Sequence, residues 1–436
     1  MTLILPDIFI EAGFTPANPV QPALVIRLNS GTAGLLNTNI LAVDNVWYDL
    51  TSDVISFAVN RPSTRQQGPL YNYQAGTATI LLDNSAGTYD PDNAASPFAG
   101  LLAPMIPLRV RANFGSLAYP VYSGFTDGWF PADVTYSGDY AELTVSATDG
   151  FKVLAGINLP AVTITGVSAD TGARVKDILT RAGWYTSAEK QLVDTGSSTL
   201  QGTTLGSDAL SIMQLAIDSE IGQLYINGAG AVVFRARRAL VNDTRSNTVQ
   251  AVFGDIPGTV HSAGTELACS TVSRAIDDTL IANDIQATRT GGALQEVQDT
   301  ASQARYLFPR TYSRTDLILQ DDLTTLNWAQ WVLYVGKTGE SRINSITIDP
   351  HVDPFDLWPQ VLGREIGDRI QIWERPAGVA SPLTKDCFIS GISHDWNTAN
   401  ATWRTTFTLQ DATKYGSFLT LDNPTLGQID HNAFVF

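Results

Sequence analysis

The sequence predicts a mainly β protein with an α+β insertion, on three observations. Alternating β-branched and aromatic runs fill the first 150 residues. Residues 160–238 switch to a helical period followed by a hairpin. Strands then return, and VYSGFTDGW, ending at Trp129, comes back as FISGISHDW, ending at Trp396.

Six runs carry the first region: ALVIRLN (23–29), DVISFAVN (53–60), TATILLD (77–83), PLRVRANF (107–114), YPVYSGFTDGW (119–129) and YAELTVSATD (140–149). Their residue types and two-residue alternation are those of strands. Gly, Pro, Asn and Asp supply the turns between them. Six strands with no convincing helix leave a barrel and a sandwich both open.

In GARVKDILTRAG (172–183), Val175, Ile178, Leu179 and Ala182 share one helical face. Asp170 or Thr171 is expected to cap this helix and Gly183 to end it. DALSIMQLAIDSEIG (208–222) reads as a second helix, with Leu210, Met213, Ile217 and Ile221 on one side and Gly222 as its stop. QLYINGAGAVVFRAR places two alternating strands around Asn227-Gly228, a strong hairpin signal. Further on, NDIQATRT (283–290), SRINSITID (341–349), DRIQIWER (368–375), TKDCFISGISHDW (384–396) and ATWRTTFTLQD (401–411) read as strands. DDLTTLNWAQWVLYVG (321–336) reads as a helix capped by Asp321 or Asp322. The expected domains are 1–158, 159–238 and 239–436.

The recurring phrase belongs to a longer repeat. Trp396 stands at an offset of 267 from Trp129, and Ser390-Gly391 stands at the same offset from Ser123-Gly124. Asp349 follows Asp83 by 266. Asp411 follows Asp149 by 262, with Thr406, Thr408 and Lys414 in register with Thr144, Ser146 and Lys152. Arg369-Ile370 matches Arg109-Val110 at 260. Anchors in one order at near-constant offset indicate a duplicated domain, and the period is too long for a solenoid.

Composition excludes several classes. Hydrophobic residues make up 44% and charged residues 16%, which is enough apolar material for real cores. No run of about 18 apolar residues predicts a membrane span, and the first residues lack a basic leader. Cys269 and Cys387 are too few and too far apart for a disulfide framework or a zinc site, which suits a reducing cytoplasm. With 43 acidic and 27 basic residues the net charge is −16, which opposes binding to nucleic acid or to an anionic membrane surface.

Several motifs imitate sites. ADTGA (169–173) and VDTGSSTL (193–200) hold two Asp-Thr-Gly signatures of aspartic proteases, whose paired carboxylates share a proton. Asp194 follows Asp170 too closely for two protease lobes, and Asp170 is needed as a cap. DNSAGTYDPDN (83–93) is rich in oxygen ligands but lacks the spacing of a calcium loop, so it reads as a turn. His261, His351, His394 and His431 stand isolated in sequence; His394 aligns with Asp127 and is expected to be exposed. Trp328, Trp331 and Trp403 are expected in core or interface, and would stack sugars if exposed. No catalytic, metal or cofactor site is expected.

The run TATILLDNSAGTYDPDNAASPFAGLLAPMIPLRVRANF with YPVYSGFTDGW resembles the hub, or minor tail, proteins of tailed bacteriophages. It carries Leu82-Asp83-Asn84, then Tyr89-Asp90-Pro91, a Pro-rich turn into Arg109-Val110-Arg111, and Tyr122-Ser123-Gly124 leading to Trp129. The module ending VVFRARR resembles the family's second domain, and FTLQDATKYGSFLTLDNPTLGQID resembles its C-terminal end. The resemblance implies two tube-like β-barrel domains per chain and a homotrimer at the tail tip. Six similar units would then match a hexameric tail tube or distal tail ring above and seat a trimeric spike or fibre below. A tape-measure protein would be a further neighbour. It implies a virion location, assembly in the host cytoplasm, and DNA met only in passage through the lumen, with no membrane insertion. The chain stops soon after Asp411, so a host-degrading activity is expected in another protein. A carbohydrate-binding adhesin and, more remotely, an aspartic protease are the alternatives. The charge adds an expectation that the lumen is acidic or neutral.

Overall fold

The computed structural model describes residues 4–14, 46–65, 70–133, 141–164, 169–276, 278–339 and 341–416. The predicted strand 23–29, His431 and the closing stretch after 416 lie outside the described residues. Among the described residues strands hold 43% and helices 21%, so the protein is mainly β with helical insertions.

Among the described residues fifteen strands join in one principal sheet. The first half supplies β1 (Asp7–Phe14), β2 (Val46–Asp49), β3 (Val54–Arg61), β4 (Thr77–Asp83), β5 (Pro107–Phe114), β6 (Leu117–Asp133) and β7 (Ala141–Thr148). The second half supplies β8 (Val249–Gly254), β9 (Val260–His261), β10 (Gly264–Ala268), β11 (Thr271–Ala275), β12 (Arg342–Ile348), β13 (Arg369–Glu374), β14 (Leu383–Asn397) and β15 (Thr402–Asp411).

The pairing order is written twice. In the first half it runs β3-β4-β7-β6-β5-β1, and in the second β11-β12-β15-β14-β13-β8. Apart from the outermost pair, each strand holds the same place in chain order as its counterpart. That pair also differs in direction: β1 is antiparallel to β5, whereas β8 is parallel to β13. One extra ladder fuses the halves. The end of β14 pairs with β3, Ser393 facing Asn60 and Asp395 facing Ala58. A single core runs beneath both halves, from Ile10, Ile80 and Val110 to Ile346, Ile372 and Phe407. Among the described residues the sheet does not close on itself; β2 and β11 each pair on one side only.

Ladder positions correct part of the sequence register. Thr79 faces Ser146 as Ser345 faces Thr408, in agreement with offsets of 266 and 262. The repeated phrase is displaced. Gly128 faces Ser146 and Gly391 faces Thr408, so Gly391 is the counterpart of Gly128 and not of Gly124. A bulge precedes each glycine, at Asp127 and at Ser390. Pro107 faces Phe125 and Arg369 faces Phe388, so Arg369 matches Pro107 and not Arg109. The duplication is real, but the Ser-Gly and Trp matches lie one helical-turn's length of chain away from their true ladder partners.

The α+β module packs its own core. Helix α1 (Gly150–Gly156) leads into it, and α2 (Thr171–Arg181) and α3 (Ala209–Glu220) follow. Val175, Ile178 and Leu179 of α2 meet Met213 and Ile217 of α3 over Phe234. Asp170 caps α2, accepting from Ala173 N–H at 3.0 Å, and Gly183 takes the left-handed φ of 69° past its end. Helix α3 ends one residue earlier than expected, at Ile221 with φ 63°. The hairpin strands are Gln223–Ile226 and Val232–Arg235. Its turn is longer than the two-residue Asn-Gly turn the sequence suggests. Asn227 Oδ1 accepts from Ala229 N–H (3.1 Å) and Ala231 N–H (2.9 Å), and Gly230 carries the positive φ.

Between β11 and β12 a three-stranded sheet (Asp284–Arg289, Gln295–Gln298, Thr311–Leu317) packs on the helix Asp322–Gly336, whose N-cap is Asp321. The helix Pro354–Gly363, absent from the sequence reading, covers the shared core with Leu357, Trp358 and Val361.

Candidate functional site

In a strand, alternate side chains leave by opposite faces. In seven neighbouring strands of the principal sheet the inward positions are mostly apolar, with His394 and Thr405 buried among them, and the outward ones are mostly hydroxyls. Across the ladders Thr271 faces Thr347, which faces Thr406, which faces Ser393, which faces Asn60, which faces Thr77, which faces Thr148. One row over, Ser273, Ser345 and Thr408 stand together, as do Ala58, Thr79 and Ser146. The Oγ1 atoms of Thr347 and Thr406 are 3.2 Å apart.

This face is close to neutral. Arg404 stands directly opposite Asp395. The bordering cations are engaged: Arg342 donates to Asn344 Oδ1 (3.0 Å) and Arg274 pairs with Glu374 (3.1 Å). Asp83 and Glu142 face each other at one rim. A continuous face of short hydroxyls offers hydration and weak hydrogen bonding without a fixed charge to hold an anion. The sequence reading missed it, although the signal was present as the polar half of TATILLD, LTVSATD and WRTTFTLQ.

The Asp-Thr-Gly segments do come together. Gly196 N–H donates to Asp170 Oδ1 (2.8 Å), and Thr171 N–H donates to Ser198 O (3.2 Å). The carboxylates are held apart in role. Asp170 is a helix cap, while Asp194 accepts from Ala236 N–H (3.2 Å). Asp194 lines a cleft of about 750 Å3 with Tyr119, Arg235, Arg245, Arg364 and Glu365; Asp170 does not line it. Its arginines pair with Asp243 and Asp368.

In the 83–93 loop the oxygens are spent on the turn. Asp83 accepts from Ser85 N–H (2.9 Å), Asn84 from Tyr89 N–H (2.8 Å) and Asp90 from Asp92 N–H (2.9 Å). Tyr89 of this loop packs on Phe98 just beyond it, and Phe98 plugs the core beside Phe14 and Tyr48. Among the described residues no three His, Cys, Asp or Glu are grouped to hold a metal.

The histidines depart from the reading. His394 is buried, not exposed, with Nδ1 2.9 Å from Thr405 Oγ1. Its ladder counterpart is Pro131, not Asp127. Burial, aided by Arg61, pushes its pKa down to about 3, so it is neutral. His261 is not isolated: it stacks on Trp373 at 3.9 Å and meets Glu266 at 2.8 Å. Arg375 grips the same carboxylate (3.0 and 2.8 Å), tying β10 to the end of β13. His351 Nε2 accepts from Trp403 N–H (3.2 Å). Trp328, Trp331 and Trp403 are all buried, which removes the sugar platforms of the adhesin reading. Trp328 donates to Asp218 O and Trp403 to Thr405 Oγ1, each at 2.9 Å.

No family model matches the chain, and no curated protein matches it by sequence. Solved structures do share its fold. A tail protein from Neisseria meningitidis MC58 superposes with a TM-score of 0.55 at 12% identity, over 85% of this chain and 95% of that one. The 43 kDa tail protein of prophage MuSo2 from Shewanella oneidensis gives 0.52 at 13%, over 85% and 97%. This chain shares the fold of these two tail proteins.

Proposed function

We propose that the protein is a structural, non-catalytic hub at the distal end of a phage tail. Three copies form a ring that joins a hexameric tail tube or distal tail ring to a trimeric spike or fibre. The tape-measure protein is its neighbour, and DNA meets it only in passage. Its place is the virion tail tip after assembly in the host cytoplasm. The reading keeps three domains, 1–158, 159–238 and 239–436, with the outer two presenting similar surfaces.

One observation carries this reading: a six-strand order written twice and fused, through β3 and β14, into one sheet with a hydroxyl-rich open face. Two similar units per chain let three chains meet a sixfold partner. A neutral face suits a surface that DNA must slide past, because phosphates are held by Lys and Arg. The fold shared with the two tail proteins supports the same reading.

Light scattering of the purified chain, with cryo-electron microscopy of the tail tip, tests it. The expected result is a mass of three chains and a ring around an open axis. A chain that stays monomeric and joins no tail component overturns it.

A further inference from the structure

The cleft that holds Asp194 lies within one chain, where three regions meet. β6 gives it Tyr119 and Pro120, the α+β module gives it Gln191 through Asp194, and the end of the helix Pro354–Gly363 with the residues after it gives Leu362 and Arg364. Its volume of about 750 Å3 is in the range of sites that enclose a ligand. One unspent feature of it is a sheet edge. The strand Gln191–Val193 pairs in parallel with Val232–Arg235, and the module's sheet ends there among the described residues. An edge strand keeps a row of N–H and C=O groups without ladder partners. Leu192, Val233 and Tyr225 stand in one row across this sheet and give the cleft an apolar floor. Leu192, at the end of the row, is 46% exposed. Gln191 and Val193 leave by the opposite face and still line the cleft, so it reaches round the free edge.

The other unspent feature is Arg364. Its Nε and Nη1 are buried without a hydrogen-bond partner. Nη1 lies 3.6 Å from Asp368 Oδ2, beyond hydrogen-bond reach. Asp368 is already taken by Arg245 Nε (2.6 Å) and by Glu365 N–H (3.1 Å). Burial lowers the pKa of Arg364, yet a guanidinium stays charged in a protein. One carboxylate thus serves two guanidinium groups and leaves a net positive charge in this corner. The acids of the lining do not cancel it. Glu365 is paired with Arg61, and Asp194 accepts from Ala236 N–H.

We propose that the cleft receives an extended segment of another protein, in which carboxylate side chains alternate with apolar ones. The segment adds a strand to Gln191–Val193, lays apolar side chains on the row that ends at Leu192, and sets a carboxylate against Arg364. Main-chain bonds at a sheet edge give such a contact its affinity, and the sites for alternate side chains give its choice of partner. A free inorganic anion would meet Arg364 but leave the edge and the apolar row uncovered. The inference does not need the ring, because the cleft is complete in one chain.

The test follows the fluorescence anisotropy of a labelled Val-Glu-Val-Glu-Val-Glu peptide titrated with the full chain at low salt. Saturable binding is expected, and a Val-Lys peptide of the same length should bind about tenfold more weakly or worse. Arg364→Met and Leu192→Glu should each weaken the glutamate peptide by about tenfold or more. Leu192 is exposed, so Leu192→Glu tests the site even where Arg364→Met fails to fold. The glutamate peptide with an N-methylated backbone cannot donate to the edge, and it should bind no better than the lysine peptide. No binding of the glutamate peptide at ~1 mM overturns the proposal. Binding that survives both substitutions, or that persists with the N-methylated backbone, overturns it as well. None of these outcomes depends on a three-chain mass, so the hub reading stands or falls on its own measurement.

Discussion

Asp149 caps α1, its carboxylate accepting from Phe151 N–H at 2.9 Å and Gly76 N–H at 2.5 Å. Burial nevertheless pushes its pKa up to about 7, against those two donors and Arg61. A raised folded pKa means that the folded chain binds the proton more tightly than the unfolded chain. The stabilisation it gives is complete below about pH 4 and is lost as pH rises to about 7. Asp149→Asn keeps a capping acceptor and has no such dependence. The difference in Tm between variant and wild type should move in the variant's favour from about pH 4.5 to about pH 7.5. A constant difference would mean that Asp149 is ionised in the fold throughout. At the Asp-Thr-Gly contact the glycine matters more than the acids. A Cβ on Gly172 would lie 1.9 Å from Asp194 O, a backbone collision. Gly172→Ala should cost roughly 3 kcal/mol or more, and Asp194→Ala, which loses one accepted N–H, about 1 kcal/mol, both read by chemical denaturation. Peptide cleavage abolished by Asp194→Ala would restore the protease reading.

Between elements, Glu11 on β1 is the side chain that ties the first half together. It accepts from Arg109 Nε (2.7 Å) and Arg111 Nε (2.8 Å) across the β1–β5 ladder. Burial would raise its pKa, but the two guanidinium groups outweigh that and hold it below the usual carboxylate value. Its stabilisation is present above the unfolded pKa and is lost as pH falls through the folded one. Glu11→Gln should cost about 1–3 kcal/mol at pH 7, and the gap to wild type should close in acid. A gap unchanged by acid would assign the loss to packing alone. Strand existence and order were legible because TATILLD and PLRVRANF alternate cleanly; both occur with the predicted bounds. Helices α2 and α3 were legible from their apolar faces, and α2 also from its Asp170 cap. The register of the repeated phrase was not. Bulges at Asp127 and Ser390 shift the ladder where Ser-Gly happens to recur, and sequence carries no mark of a bulge. The helix Pro354–Gly363 was missed because Pro354 and Pro359 read as breakers, although proline suits a helix's first turn. The burial of His394 was misread for the same reason as the register.

For the whole molecule, the charge of −16 gives no placement, but the sheet does. Its open face across seven strands is built mostly of Thr, Ser, Asn and Ala, with Arg404 standing opposite Asp395. Duplex DNA carries dense negative charge, and proteins hold it by releasing counterions with Lys and Arg. A face with few cations displaces few of the counterions condensed on DNA. Thr79 and Thr406 lie on this face in the first and second halves, so Thr79→Lys with Thr406→Lys puts a cation on each half. In a three-chain ring that makes six cations around the axis. Wild-type protein should leave short linear DNA unshifted in a gel at low salt, while the lysine variant retains it. With six phosphate contacts, affinity should fall about a thousandfold from roughly 50 to 200 mM salt. Circular dichroism should match wild type, since both threonines point away from the core. Wild-type protein that binds DNA with such a salt slope would show that DNA meets a different, cationic surface. A lysine variant that stays inert, while still assembling, would place this face away from the DNA path.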